Sequence, residues 1–503
     1  MQTFIDWARD QGIISNAATI QQTEYAEYGL FATQDMTSTS TAIEAIVFIP
    51  GKLLITANRF FQEHPLLKKE IINEKQALRL FLIYGRYFSA LHQQQQQQEQ
   101  TNNNYFWKPY IDILPTVDYF KKHHILFNVS LVKGTNLEQS IHAKLCWLEN
   151  ELKHLQEQCF TEAATHWIHE ITLDMYFWAD CVVWSRVVGV SEACQPNDNE
   201  SNDGQSNLAL IPFFDFANHS SSNCNIRWQW IENDVDSTDE AGIQLVPYTD
   251  KNISIMKGDE LLLSYGSKSN QELLFLYGFC VENNPTPINY TLSILPFLDA
   301  NEPMGMFKSQ WLKQLKVKPL LTFMPKLDVS DGNDKDTALE NEHKISLHDI
   351  GLTGEDLSII YLIAADDEIG SLEFSYTDNA VADDDSCSTT TTTKLLTLTI
   401  NAVKITSIRQ LAECIEQQQK MNLPIIQLRI VLLLIDALEY QLSTLTISSN
   451  EVKKFKESVS EGLIKQMDMY RQEEQTILTN VLGLLYYLRD KLSSDPIVVD
   501  YLK

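Results

Sequence analysis

Two short segments constrain the fold of this 503-residue chain more than any others: Phe213–Ser220 (FFDFANHS) and Gly258–Gly266 (GDELLLSYG). Each attaches a few polar groups to an apolar stretch of strand character, and the second closes on a tyrosine and a glycine. Singly they say little. Asn218 and Ser220 read as turn residues that satisfy nearby backbone groups. Tyr265 reads as a core tyrosine at a strand end, and Arg186, closing Trp178–Arg186 (WADCVVWSR), as a cation at a helix C-terminus. The sequence carries no P-loop, no Gly-x-Gly-x-x-Gly after a strand, no His-Glu-x-x-His and no Gly-x-Ser-x-Gly. Nucleotide hydrolysis, dinucleotide redox chemistry, zinc proteolysis and α/β-hydrolase chemistry thereby lose their usual signatures. Any site must be built from polar groups on an irregular β-fold.

The chain is too long for one core, and two or three domains are expected. Its 44% hydrophobic and 21% charged residues are those of an ordinary folded protein. The longest apolar stretch, Ile425–Leu442, is interrupted at helical spacing by Arg429, Asp436 and Glu439, so it is expected to be a buried amphipathic helix rather than a membrane span. The N-terminal FIDWARDQGI carries Asp6 and Asp10, which a signal or transit peptide would lack. Eight scattered cysteines without a CxxC point to a reducing compartment, cytoplasm or nucleus, and to no metal site. The net charge of −28 disfavours direct contact with nucleic acid and suits a lysine-rich or basic protein partner.

Along the chain, residues 25–56 are β-rich and turn-punctuated. Pro65 to about His92 has a helical apolar stripe, which runs into a glutamine tract at 93–98 and asparagines at 102–104. An aromatic, packed segment follows at Tyr105–Pro115, then helix over roughly Leu137–Val190, then a polar loop at 196–207. Strand signals return from Leu208 to Ser264. After Asn284 the pattern is helical, interrupted by hydrophilic stretches at 328–343 and 378–393, and three helices are expected between Ile405 and Leu502.

Taken in order, these features resemble the SET-domain protein methyltransferases of the Rubisco large-subunit methyltransferase type. The resemblance rests on Gly29-Leu30-Phe31-Ala32, Trp178-Ala179 with Ser185-Arg186, Asp215 to His219, and Tyr265-Gly266. FIPGKLLIT (Phe48–Thr56), FWKPYIDILP (Phe106–Pro115) and YRQEEQTIL (Tyr470–Leu478) extend it over nearly the whole chain. It implies an α+β fold: a knotted SET β-fold of short strands with an inserted helical subdomain, plus an all-helical C-terminal domain. The implied boundaries are 1–60 for the first part of the SET core, 61–204 for the helical insertion, 205–284 for the second part of the core, and 285–503 for a substrate-binding-like domain.

The resemblance further implies transfer of a methyl group from S-adenosyl-L-methionine to a lysine of a non-histone protein, by a monomer. A ribosomal protein or translation factor would suit the acidic surface. Tyr265 would be the catalytic tyrosine. Tyr28, Gly29, Leu30, Arg186, Asp215, Asn218 and His219 would hold the cofactor, Arg186 through its carboxylate. Ser185, Val188, Ser264 and Tyr277 would line the substrate channel. One departure lies at Ala26-Glu27-Tyr28-Gly29-Leu30, where related plant enzymes have Glu-Gly-x-Gly-Leu. It leaves open a catalytically silent binding module. A histidine-methylating branch carries Asn two residues beyond the motif arginine, where Val188 stands here.

Overall fold

The structure, a computed structural model, describes the chain apart from residues 24–25, 37–44, 91–104, 159–162, 191–206, 233–239, 249–253, 299–300, 325–345, 381–391, 421 and 447–456. The tracts at 93–98, 102–104 and 328–343 lie outside the described residues, as does nearly all of the loop at 196–207. The chain forms two compact units: Met1–Val132 with Leu137–Thr286 and Ser449–Tyr470, and Lys133–Asn136 with Pro287–Ser448 and Arg471–Lys503.

The first unit joins short strands from distant parts of the sequence. An antiparallel sheet runs Ile14–Ser15, Val47–Pro50, Gly242–Pro247, Ile226–Ile231 in spatial order. A hairpin pairs Ala18–Gln22 with Tyr28–Ala32, and Val188–Val190 pairs with Asn207–Ala209. Between the strands stand helices with legible starts. Asn73 and Gln76 form a reciprocal capping box for Glu74–Ile83, Thr172 caps Leu173–Arg186, and Ser269 with Glu272 caps Asn270–Tyr277. The last of these ends at Gly278, whose φ of 83° is the left-handed conformation that only glycine adopts cheaply.

Two helical expectations are refined. The stripe from Pro65 becomes α-helical only at Glu74, where the Asn73 cap starts it, and continues through a π-turn at Tyr84–Phe88. The region from Leu137 is divided into Leu137–Gln158, a 3-10 segment at Ala163–Glu170 and Leu173–Arg186, and Val188–Val190 is a strand.

A buried ionic node locks these helices together. Arg79, with 0% side-chain exposure, contacts Asp180 at 2.8 Å and Glu151 at 2.6 Å. Lys144 reaches the other Asp180 oxygen at 2.7 Å, and the Tyr176 hydroxyl donates to Glu151. Removing water from such charges is costly, and each carboxylate here depends on its cation. The node fixes the helix Leu173–Arg186, and with it the position of Arg186 at its end.

The second unit is mostly helical. Leu423–Thr444 buries Ile426, Ile430, Val431, Leu434 and Leu438, as its apolar spacing predicts, and no described helix is long and apolar enough to cross a membrane. Gly354–Ala364 is buried nearly all round, and Lys308 donates to Ile363 O and Ala365 O at its C-terminal end. This unit is nevertheless not all-helical. Tyr290–Ser293 pairs with Leu320–Phe323, and Leu372–Ala380, Thr392–Ile400 and Val403–Ile405 form a three-stranded sheet. The threonine-rich stretch that reads as hydrophilic thus ends in a strand, because Leu396, Leu398 and Ile400 alternate onto a buried face.

Replacing Arg79 by Met would leave Glu151 buried without its cation and Asp180 with Lys144 alone. Denaturant unfolding of R79M should show a loss of about 3–5 kcal/mol in the first unit. A loss below about 1 kcal/mol would contradict the role given to the node.

Candidate active site

The segment Asp259–Leu263 is gripped on two sides. On one side it runs antiparallel to the hairpin strand, with Ala32 N–H donating to Asp259 O at 2.9 Å and Leu261 N–H to Leu30 O at 2.8 Å. On the other, Leu263 N–H donates to Asn218 O at 2.8 Å and Ser220 N–H to Leu263 O at 2.9 Å, a parallel bridge between His219 and Leu263. Asn225 clips the same segment, donating to Glu260 O and accepting from Leu262 N–H, each at 2.8 Å. In a parallel bridge of this register, the N–H and C=O of His219 point away from Leu263.

The chain enters this strip through a strained turn. Phe213 has φ 77° and ψ −41°, a conformation that non-glycine residues rarely adopt, and its ring is buried 6.3 Å from Phe4. A 3-10 turn, Phe214–Phe216, then directs Asp215 inward. Tyr110 donates to Asp215 Oδ2 at 2.8 Å, and Arg186 Nη1 contacts the same oxygen at 3.0 Å and Asp215 O at 3.1 Å. Burial raises the Asp215 pKa, while Arg186 and Tyr110 oppose that rise. Arg186 is therefore already committed through one nitrogen to holding the strip.

The strip positions Tyr265. Its N–H donates to His219 Nδ1 at 3.1 Å, its hydroxyl donates to Ala217 O at 2.9 Å, and its ring lies 5.0 Å from His219 and 5.1 Å from Tyr277. Burial raises the Tyr265 pKa well above the usual 10.0, so the phenol stays protonated near neutrality. His219 Nδ1 acts as an acceptor, which assigns the ring proton to Nε2, 3.0 Å from Ser221 Oγ. Burial also lowers the His219 pKa from 6.5, in keeping with a neutral ring.

Across the strip stands the hairpin turn. Asn218 Nδ2 donates to Tyr28 O at 3.1 Å and to Glu260 Oε1 at 2.7 Å, so its two amide hydrogens are spent. A Cβ on Gly29 would come within 2.5 Å of Glu260 and 2.9 Å of Asn218, so only glycine allows this approach. Leu30 is fully buried beneath.

Behind Tyr265 opens a cavity of about 470 Å³ whose wall includes Ser185, Val188, Ser264 and Tyr277, with Phe214, Trp228 and Leu276 supplying apolar surface. The structure thus brings Tyr28 and Gly29 beside Asn218, and His219 beside Tyr265. Arg186, Asp215, Tyr265 and the four channel residues are gathered in the wall of the cavity. Sequence reading missed Glu260, Tyr110, Trp228 and Lys268. Glu260 alone had a local signal: the buried alternation of Leu261 and Leu263 puts it on the opposite face.

Residues 27–266 match the SET-domain family model. Its sequence is similar to a chloroplastic [fructose-bisphosphate aldolase]-lysine N-methyltransferase of Arabidopsis thaliana, 26% identical over 58% of this chain and 54% of that protein. It is also similar to an actin-histidine N-methyltransferase of Drosophila melanogaster, 24% identical over 56% of this chain and 49% of that one. The chain spans about half the length of these curated relatives. The fold matches a crystal structure of the SET domain of LSMT bound to lysine and AdoHcy, with a TM-score of 0.61 and 16% identity over 98% of this chain and 92% of that one.

His219→Ala would strip the Tyr265 N–H of its acceptor and should cost about 1–3 kcal/mol, whereas His219→Asn should keep most of that stability by offering an amide oxygen. Because the folded histidine has a pKa below 6.5, its contribution is present above pH 6.5 and lost as pH falls through the folded value. Stability measured from pH 8 to pH 5 should fall more steeply for the native protein than for H219N. Parallel curves would contradict the lowered pKa of His219.

Proposed function

We propose that this SET domain is an S-adenosyl-L-methionine-dependent protein-lysine N-methyltransferase that acts on a non-histone protein. The placement of Tyr265, between the Asn218–His219 strip and the cavity that holds Tyr277, carries the reading. When bound, the cofactor supplies an electrophilic methyl on a sulfonium, and transfer to an amine releases a neutral thioether.

The residues fit such a group. The outward N–H and C=O of His219 suit a purine edge, and the side-chain oxygen of Asn218 suits an ammonium. Gly29 permits close backbone approach between Tyr28 and Leu30. The Arg186 nitrogens not engaged by Asp215 suit a carboxylate, and Asp215 holds that guanidinium in place.

On the other side, the amine must be neutral to attack. For a lysine of ordinary pKa that costs about 4–5 kcal/mol at pH 7. A wall containing Val188, Phe214, Trp228, Leu263 and Leu276 disfavours the ammonium and reduces that cost. The Tyr265 hydroxyl already donates to Ala217 O, so toward the cavity it offers a lone pair that orients an amine N–H. Its raised pKa fits a positioning acceptor rather than a base. Val188, where the histidine-methylating branch carries Asn, favours lysine over histidine. The net charge of −28 favours a basic client and a monomer that avoids nucleic acid.

Tyr265→Phe should lower kcat/KM for methyl transfer by about 100-fold or more while calorimetry finds cofactor affinity within about twofold of native. Undiminished turnover in Y265F would overturn the assignment.

A further inference from the structure

We propose that Lys268 is a specificity-determining residue, whose ammonium at the cavity wall selects target lysines with an acidic neighbour and rejects those with a basic one. The proposal rests on the transferase reading above and narrows its substrate class.

The argument is one of local charge. Three charged residues contribute to the cavity wall among the described residues: Arg186, Asp215 and Lys268. Arg186 and Asp215 form an ion pair at 3.0 Å, with the Asp215 side chain at 0% exposure, so their charges cancel at the source. Lys268 has no carboxylate within ion-pair distance among the described residues. It is half-buried, on the turn that links Gly266 to the helix Asn270–Tyr277, and it follows Tyr265 closely in sequence.

Other charges near this wall are compensated. Glu74 accepts the Leu208 N–H at 2.6 Å and has Lys75 beside it, the latter lying over the Trp184 ring at 5.0 Å. Glu272, near Tyr277, is turned back into its own helix start, where it takes the Ser269 N–H and hydroxyl. Lys144 is paired with Asp180. The described wall is therefore locally cationic on a protein of net charge −28.

This opposition has a physical consequence. Long-range attraction would bring a basic client to the acidic surface, but within a Debye length the side chains flanking the target lysine meet Lys268 instead. A flanking Glu or Asp gains a partner there, and a flanking Lys or Arg meets a like charge in a partly desolvated setting. The substrate class is thus a basic protein whose target lysine lies next to an acid, rather than inside a run of lysines.

The test uses the full chain with lysine-centred peptides that differ only in flanking residues, carrying Glu, Gln or Lys within two positions of the target. The native protein should show kcat/KM for the Glu peptides about three- to tenfold above the Lys peptides, with Gln between. Lys268→Glu should invert that ratio and Lys268→Gln should bring it near one. Because each ratio is taken within one variant, a general loss of activity in a variant cancels. A native protein that methylates all three sets alike, or a K268E ratio equal to the native one, would overturn the proposal. Absence of transfer to every peptide by the native protein would instead count against the transferase reading on which it rests.

Discussion

The segment Asp259–Leu263 accepts backbone partners from two stretches of chain that lie about 190 residues apart, and the site follows from that double grip. The hairpin strand Tyr28–Ala32 fixes its start, and Asn218–Ser220 fixes its end. The side chains then have little freedom. Tyr265 must emerge beside Ala217 and His219, and Asn218 must face Tyr28 across Glu260. A parallel bridge cannot be made by a tight turn; it needs a long crossover, which the strands Ile226–Ile231 and Gly242–Pro247 supply here. Loop-closure entropy is spent before any of these contacts repays it.

The polar groups at the site serve two kinds of task. Asp215, Arg186 and Tyr110 form a buried, hydrogen-bonded cluster that holds the strip from behind. Tyr265 lines the cavity, and Asn218 and His219 lie beside it. This division pairs the charges of Arg186 and Asp215, which act on the tyrosine, with one another. A phenol held neutral by burial, beside a neutral imidazole and an apolar wall, makes a place where an ammonium is disfavoured and an amine can be oriented. The proposed chemistry needs that environment more than it needs a strong base.

Much of this was legible in the sequence, though unevenly. Asn218, His219 and Tyr265 stand out because polar residues interrupt strand-like apolar runs, and their proximity in space follows from the family resemblance. Helix starts were readable where a cap was explicit, as at Ser269 and Glu272. Tyr110 was not readable as a site residue, because its partner Asp215 is 105 positions away and its own surroundings look like plain aromatic packing. Lys268 was invisible for a different reason: its significance comes from the neutralisation of Arg186 by Asp215, which only coordinates reveal. In the second unit, the Thr-rich composition at 392–400 masked an alternation that tertiary packing turns into a strand.

The most direct measurement is methyl transfer from isotopically labelled S-adenosyl-L-methionine, by the purified chain, into a lysate of cells that lack it, with mass-spectrometric location of the label. The expected result is label on the ε-nitrogen of lysine in a small number of basic, non-histone proteins. Label confined to histidine, or none above a heat-inactivated control, would contradict it.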